Sequence, residues 1–107
     1  MNTTTKIAPA TVTKALKAAG FEKAQWRKPG VSTWNDGFLT ESANYLNAVD
    51  VVWLPAGVHR CYTEAERDAR ALKYATMIAA LINAGFQTEF HAPGEIEDAY
   101  IRVRKAA

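Results

Sequence analysis

Two glycines, Gly20 and Gly85, each sit between an alanine and a phenylalanine, and each closes a run of helical periodicity. Glycine takes the left-handed conformation that a helix C-terminal cap needs, and the following phenylalanine can fold back on the last turn. Ahead of Gly20, Val12, Ala15, Leu16 and Ala19 recur at helical spacing, while Thr13, Lys14 and Lys17 fall on the other side. Pro9 suits the first turn, where its missing N–H is not needed. Ahead of Gly85, Thr63 and Glu66 have the spacing of a capping box, which predicts a helix running to about Ala84. In this second helix only Lys73, Thr76 and Asn83 are polar from residue 73 on. So apolar a helix is expected to be covered on more than one side, by sheet and first helix or by a second copy. Tyr74, Met77, Ile78 and Leu81 are therefore the candidate protein interface.

Between and after these helices the period changes to two. Lys23–Lys28 alternates Ala24 and Trp26 against Lys23, Gln25 and Arg27, a half-buried strand with a basic outer face. Pro29-Gly30 and Asn35-Asp36-Gly37 are turns, with Trp34 in the loop between them. Further strands are predicted at 38–42, 48–54, 87–90 and 99–104, the second of these apolar on both faces as a central strand would be. In the last, Ile101 and Val103 point inward and Tyr100, Arg102 and Arg104 outward. The predicted fold class is α+β, a single domain over 8–107 after a flexible tail at 1–7. Its order is α-β-β-β-α-β-β, with two helices on one face of an antiparallel sheet. Ala15-Leu16 with Ala19-Gly20-Phe21 echoes Ala80-Leu81 with Ala84-Gly85-Phe86. With three strands after one helix and two after the other, the echo reads as shared helix-exit chemistry.

Composition excludes several classes. A chain of 107 residues with 49% apolar and 22% charged residues can bury a core, unlike a disordered chain. The single cysteine, Cys61, cannot form an internal disulfide. No apolar run approaches the roughly 20 residues of a membrane helix, and Met1–Ala8 lacks the apolar centre of a signal peptide. The expected location is the cytoplasm, with no membrane partner.

The charge is unevenly distributed. Residues 1–34 hold six lysines and arginines against Glu22 alone, a net +5, whereas residues 35–107 carry a net −3. The basic part could face an acidic partner or simply be solvated. Lys14, Lys17, Lys23, Arg27 and Lys28, with Trp34 to stack on a base, form the candidate nucleic-acid surface.

Other constellations are weaker. His59 and Cys61 stand two apart before the second helix, where a thiol could be activated, but no third group orients them. Adding His91 gives three zinc-ligand types without the paired spacings of a structural site. Glu95, Glu97 and Asp98 fit a solvated acidic turn. The glycines are isolated turn and cap residues and form no phosphate loop. No pattern calls for a catalytic residue, a cofactor or a metal.

Three resemblances bear on function. The order of elements over residues 22–84 resembles that of plant-type AP2 DNA-binding domains. The order α-β-β-β-α is similar to double-stranded RNA-binding domains, although the second helix starts Thr63-Glu64-Ala65-Glu66 where that family has lysines. Alanine-rich helices closing in Lys17-Ala18-Ala19-Gly20-Phe21, with abundant Ala, Thr, Arg and Trp, resemble small accessory proteins of phages that infect GC-rich actinobacteria. This last resemblance implies a protein acting in a bacterial host's cytoplasm by binding a macromolecule. The expectation is a non-enzymatic binding protein with a protein partner or self-association, and nucleic acid as the alternative.

Overall fold

The computed structural model describes residues 7–24, 37–43, 46–54, 64–93 and 99–106. Among them the order is α1 (Pro9–Ala18), β1 (Gly37–Ala43), β2 (Ala48–Leu54), α2 (Glu64–Asn83), β3 (Phe86–His91) and β4 (Tyr100–Lys105). Both glycine stops act as the chemistry requires, with φ +99° at Gly20 and +97° at Gly85. At the end of α1 the Phe21 N–H donates to the Leu16 carbonyl at 3.0 Å, and the Gly20 N–H to that of Lys17 at 3.0 Å. This is the Schellman pattern, and it satisfies carbonyls the helix would otherwise leave open. The proposed cap of α2 at Thr63 and Glu66 lies outside what the structure describes.

The four strands form one antiparallel sheet in the order β1-β2-β4-β3. The β1–β2 connection passes through Asn47, whose φ of +52° is a left-handed value that asparagine tolerates better than most residues. Its side-chain oxygen accepts a hydrogen bond from the Ile7 N–H at 3.2 Å. Ile7, expected in the tail, is thus buried in the core, because the preceding-helix entry is tied to this turn. The core is built from Val12 and Leu16 of α1, Tyr74, Met77 and Leu81 of α2, and the inward residues Phe38, Val49, Val51, Trp53, Ile101 and Val103. Each fully buried side chain of this size contributes about 1.5–3 kcal/mol.

Two expectations are corrected here. Tyr74, Met77 and Leu81 are core residues and Ile78 packs partly against them, so they do not form a free interface. Their spacing follows the helix face that meets the sheet. Nor is α2 covered all round, for Leu72 is 66% and Ile82 55% exposed. Alanines take up much of the remaining outer face, and alanine needs no cover.

The strand predicted at 23–28 is described only at its start. The Phe38 N–H donates to the Glu22 carbonyl at 3.0 Å, and the Ala24 N–H to the Phe38 carbonyl at 2.9 Å. This parallel bridge covers the outer edge of β1. Gly37 makes it possible: a Cβ there would lie 2.7 Å from the Glu22 oxygen and closer still to the backbone of Lys23 and Ala24.

With two described strands after each helix, the halves now correspond. Asp50 and Arg102 pair across β2 and β4, Glu41 pairs with Asp50, and Glu89 with Arg102. A twofold rotation through the Asp50–Arg102 pair therefore exchanges β1-β2 with β3-β4 in register. It carries Phe38, Thr40 and Glu41 onto Phe86, Thr88 and Glu89, so both edge strands read Phe-x-Thr-Glu at matching positions. Residues 22–36 have no counterpart between α2 and β3.

The two halves part at one end, and Tyr74 spans the gap. Direct β2–β4 pairing ends at Val51–Ile101. Two residues further on, the Tyr74 hydroxyl accepts from the Trp53 N–H at 2.9 Å and donates to the Ala99 carbonyl at 2.8 Å. One turn before it, Arg70 donates to the Trp53 carbonyl at 3.0 Å, and Lys73 Nζ sits 4.8 Å above the Trp53 ring. Tyr74→Phe keeps the ring packing and strands both backbone groups, each costly to leave unpaired when buried. We expect it to fold and to lose about 1–3 kcal/mol in urea denaturation; an unchanged midpoint would show the bridge to be dispensable.

Candidate binding surfaces

The helix-free face of the sheet carries a self-neutralised polar network. Arg102 forks onto both carboxylate oxygens of Asp50 at 2.9 Å each and lies 5.2 Å from the Tyr100 ring centroid. Tyr100 stacks on His91 at 4.4 Å with planes 6° apart. Glu89 takes Arg104 at 3.3 Å, and His91 Nε2 lies 3.1 Å from the same oxygen without hydrogen-bond alignment. Strand alternation puts these side chains on one face because they occupy every second position of β2, β3 and β4. Cations and acids interleave, so the described residues of this face form no continuous positive track for a polyanion.

A different surface gathers the basic residues named from the sequence. Lys14 and Lys17 stand one turn apart on α1 and share a face. Lys23 reaches the same place from the segment bridged to β1. Together they line an open groove of about 530 Å³, floored by Thr13 of α1 and Thr40 of β1. The two threonine hydroxyls share a hydrogen bond of 2.9 Å, which pins the helix to the strand beneath the lysines. None of the groove's lining residues is acidic. The remaining members of the candidate nucleic-acid surface, Arg27, Lys28 and Trp34, lie outside the described residues, as do His59, Cys61, Glu95, Glu97 and Asp98.

The third surface was missed in the sequence. The exposed large apolar side chains among the described residues are Leu72, Ile82 and Phe90, all on α2 or β3. Phe90 lies beside Tyr74, ring centroids 5.6 Å apart, and is 45% exposed. β3 is also an edge of the sheet with no second pairing partner among the described residues. The signal available in the sequence was the pairing of Phe90 with a helix flank, which requires knowing that β3 is an edge.

No helix of the structure is long and apolar enough to cross a membrane, among the described residues. Comparison with protein-family models, curated proteins and solved structures finds no match.

On the open face, interaction with His91 first and Arg104 second holds the Glu89 carboxyl below its ordinary 4.5. A lowered carboxylate favours the folded state above the ordinary value, and that contribution is lost as pH falls through the lowered one. Arg104→Ala and His91→Ala should each move the Glu89 midpoint back up in an NMR titration. A midpoint that stays put in both variants would dissolve the network.

Proposed function

We propose that the protein is a non-enzymatic binding protein that works through self-association, joining two copies along β3 and the adjoining flank of α2. The observation that carries this reading is the placement of the exposed Ile82 and Phe90 beside a strand edge that has no second pairing partner among the described residues. Large exposed apolar side chains next to an open edge mark a surface that another chain covers. The opposite edge, β1, is covered by residues 22–24 of the chain itself.

The orientation of α2 supports a second copy as the cover. Lys73 faces Trp53 and Phe21, toward the middle of the molecule, and Tyr74 faces Phe90. Helical spacing then puts Ala71, Ala75, Ile78 and Ile82 on the flank above the β3 edge. The stripe reads small, small, large, large. An antiparallel copy sets Ala71 against the partner's Ile82 and Ala75 against the partner's Ile78, which is the fit twofold symmetry needs. Charge selects the strand register. Centring β3 pairs on Glu89 would oppose two carboxylates; centring them on Thr88 sets each Glu89 against the partner's Gln87 amide. The style of the helix exits, which resembles small phage accessory proteins, accords with a compact self-associating module.

Sedimentation equilibrium across the micromolar range should show a concentration-dependent dimer. Ile82→Glu with Phe90→Glu, both at exposed positions, should give a folded monomer by circular dichroism and sedimentation. A wild-type protein that stays monomeric at several hundred micromolar would remove the reading.

A further inference from the structure

The two edge strands of the sheet begin alike but lie in different surroundings. β1 reads Gly37-Phe38-Leu39-Thr40-Glu41, and Gly85 leads into Phe86-Gln87-Thr88-Glu89. The twofold relation of the strands puts Gly37 on Gly85 as it puts Phe38 on Phe86. A Cβ at Gly85 would meet nothing within 4 Å. A Cβ at Gly37 would lie 2.4 Å from the Ala24 nitrogen and 2.6 Å from the Lys23 carbonyl carbon. We propose that residues 22–24 are an edge stop, which closes β1 to other copies and so limits association to a pair. The limit to a pair rests on self-association through β3; the closing of β1 rests on its own geometry.

Backbone direction shows what the stop occupies. The Phe38 N–H and carbonyl both go to residues 22–24, so they point away from β2. Pairing groups alternate in direction along an antiparallel strand. Thr40 therefore shares the outward direction, and on β3 the equivalent outward positions are Phe86, Thr88 and Phe90. The Trp53 N–H, turned toward β4 and met by Tyr74, keeps the same alternation across the middle of the sheet. A second copy that laid its β3 on β1, Thr88 against Thr40, would set its Phe90 against Phe38. It would need the place that residues 22–24 hold, one strand spacing of about 4.8 Å from β1. Charge does not prevent that pairing, since Glu89 would face Leu39 and Gln87 would face Glu41. Every copy would add in the same orientation, which builds an open chain. Occupying Phe38 removes this pairing and leaves β3 against β3, which closes on its twofold axis. Covering one edge with a piece of the same chain is a common protection against such growth.

The test is sedimentation velocity of the full chain across a concentration series. Gly37→Val drives a side chain into the 22–24 backbone. Ala24→Pro removes the N–H that the Phe38 carbonyl accepts, and proline suits an extended segment. Each variant should sediment as species larger than the wild-type dimer, growing with concentration. Added to Ile82→Glu with Phe90→Glu, each should still self-associate through the opened β1, where the Ile82→Glu, Phe90→Glu protein alone stays monomeric. In that monomer the Phe38 amide proton should exchange about tenfold more slowly than the Thr88 amide proton, the protection one backbone hydrogen bond gives. Folded Gly37→Val and Ala24→Pro proteins no larger than their parents in both backgrounds would overturn the stop. So would a Phe38 amide that exchanges as fast as that of Thr88, a measurement that needs neither edge variant to fold. A monomeric wild type whose Gly37→Val form associates would sink the β3 reading and keep the stop.

Discussion

The Tyr74 hydroxyl holds the two halves of the sheet where their strands can no longer hold each other. Trp53 and Ala99 continue the β2–β4 register, yet the backbone groups meet through a helix side chain. Both groups are buried, and an unpaired N–H or carbonyl there would cost more than the bridge itself contributes. Arg70, Lys73 and Tyr74 all address Trp53, on its carbonyl, ring and N–H. One turn of α2 therefore sets where the helix lies on the sheet. The exposure of Ile82 and the position of Phe90 beside Tyr74 follow from that placement.

The internal twofold makes the two edges worth comparing. Phe38-Leu39-Thr40-Glu41 and Phe86-Gln87-Thr88-Glu89 occupy equivalent positions on β1 and β3. Beyond that the halves diverge. The helix residues above β1 include Lys14 and Lys17, and those above β3 include Ala79 and Ile82 at the matching distances from the helix-ending glycines. One edge is covered by the chain's own 22–24 segment and bordered by lysines. The other is open among the described residues and bordered by apolar side chains. The same scaffold thus presents a charged surface and an apolar one at opposite ends of a single sheet.

Helix ends and strand faces were legible in the sequence because they depend on neighbours along the chain. Gly20 and Gly85 cap helices since only glycine takes those φ values cheaply. Ile101 and Val103 point inward, with Arg102 and Arg104 outward, because side chains alternate along a strand. The interface assigned to Tyr74, Met77, Ile78 and Leu81 misread one face of a helix. Periodicity identifies an apolar face but not what covers it, and here the sheet does. Lys14, Lys17 and Lys23 were picked out as a basic surface by composition alone. That they share one groove could not be read, since it depends on the bridge between Glu22, Ala24 and Phe38.

By itself the sequence determined the two helices, their stops, the strands at 38–42, 48–54, 87–90 and 99–104, and the inward face of the last of them. Those features rest on φ preferences and on periods of 3.6 and 2, which are local. Tertiary structure alone decided the strand order β1-β2-β4-β3, and with it the pairing of Asp50 with Arg102 and the twofold relation of the halves. It also decided which apolar residues stay outside. Strand order is set by contacts between residues some 50 positions apart, and no local preference encodes them.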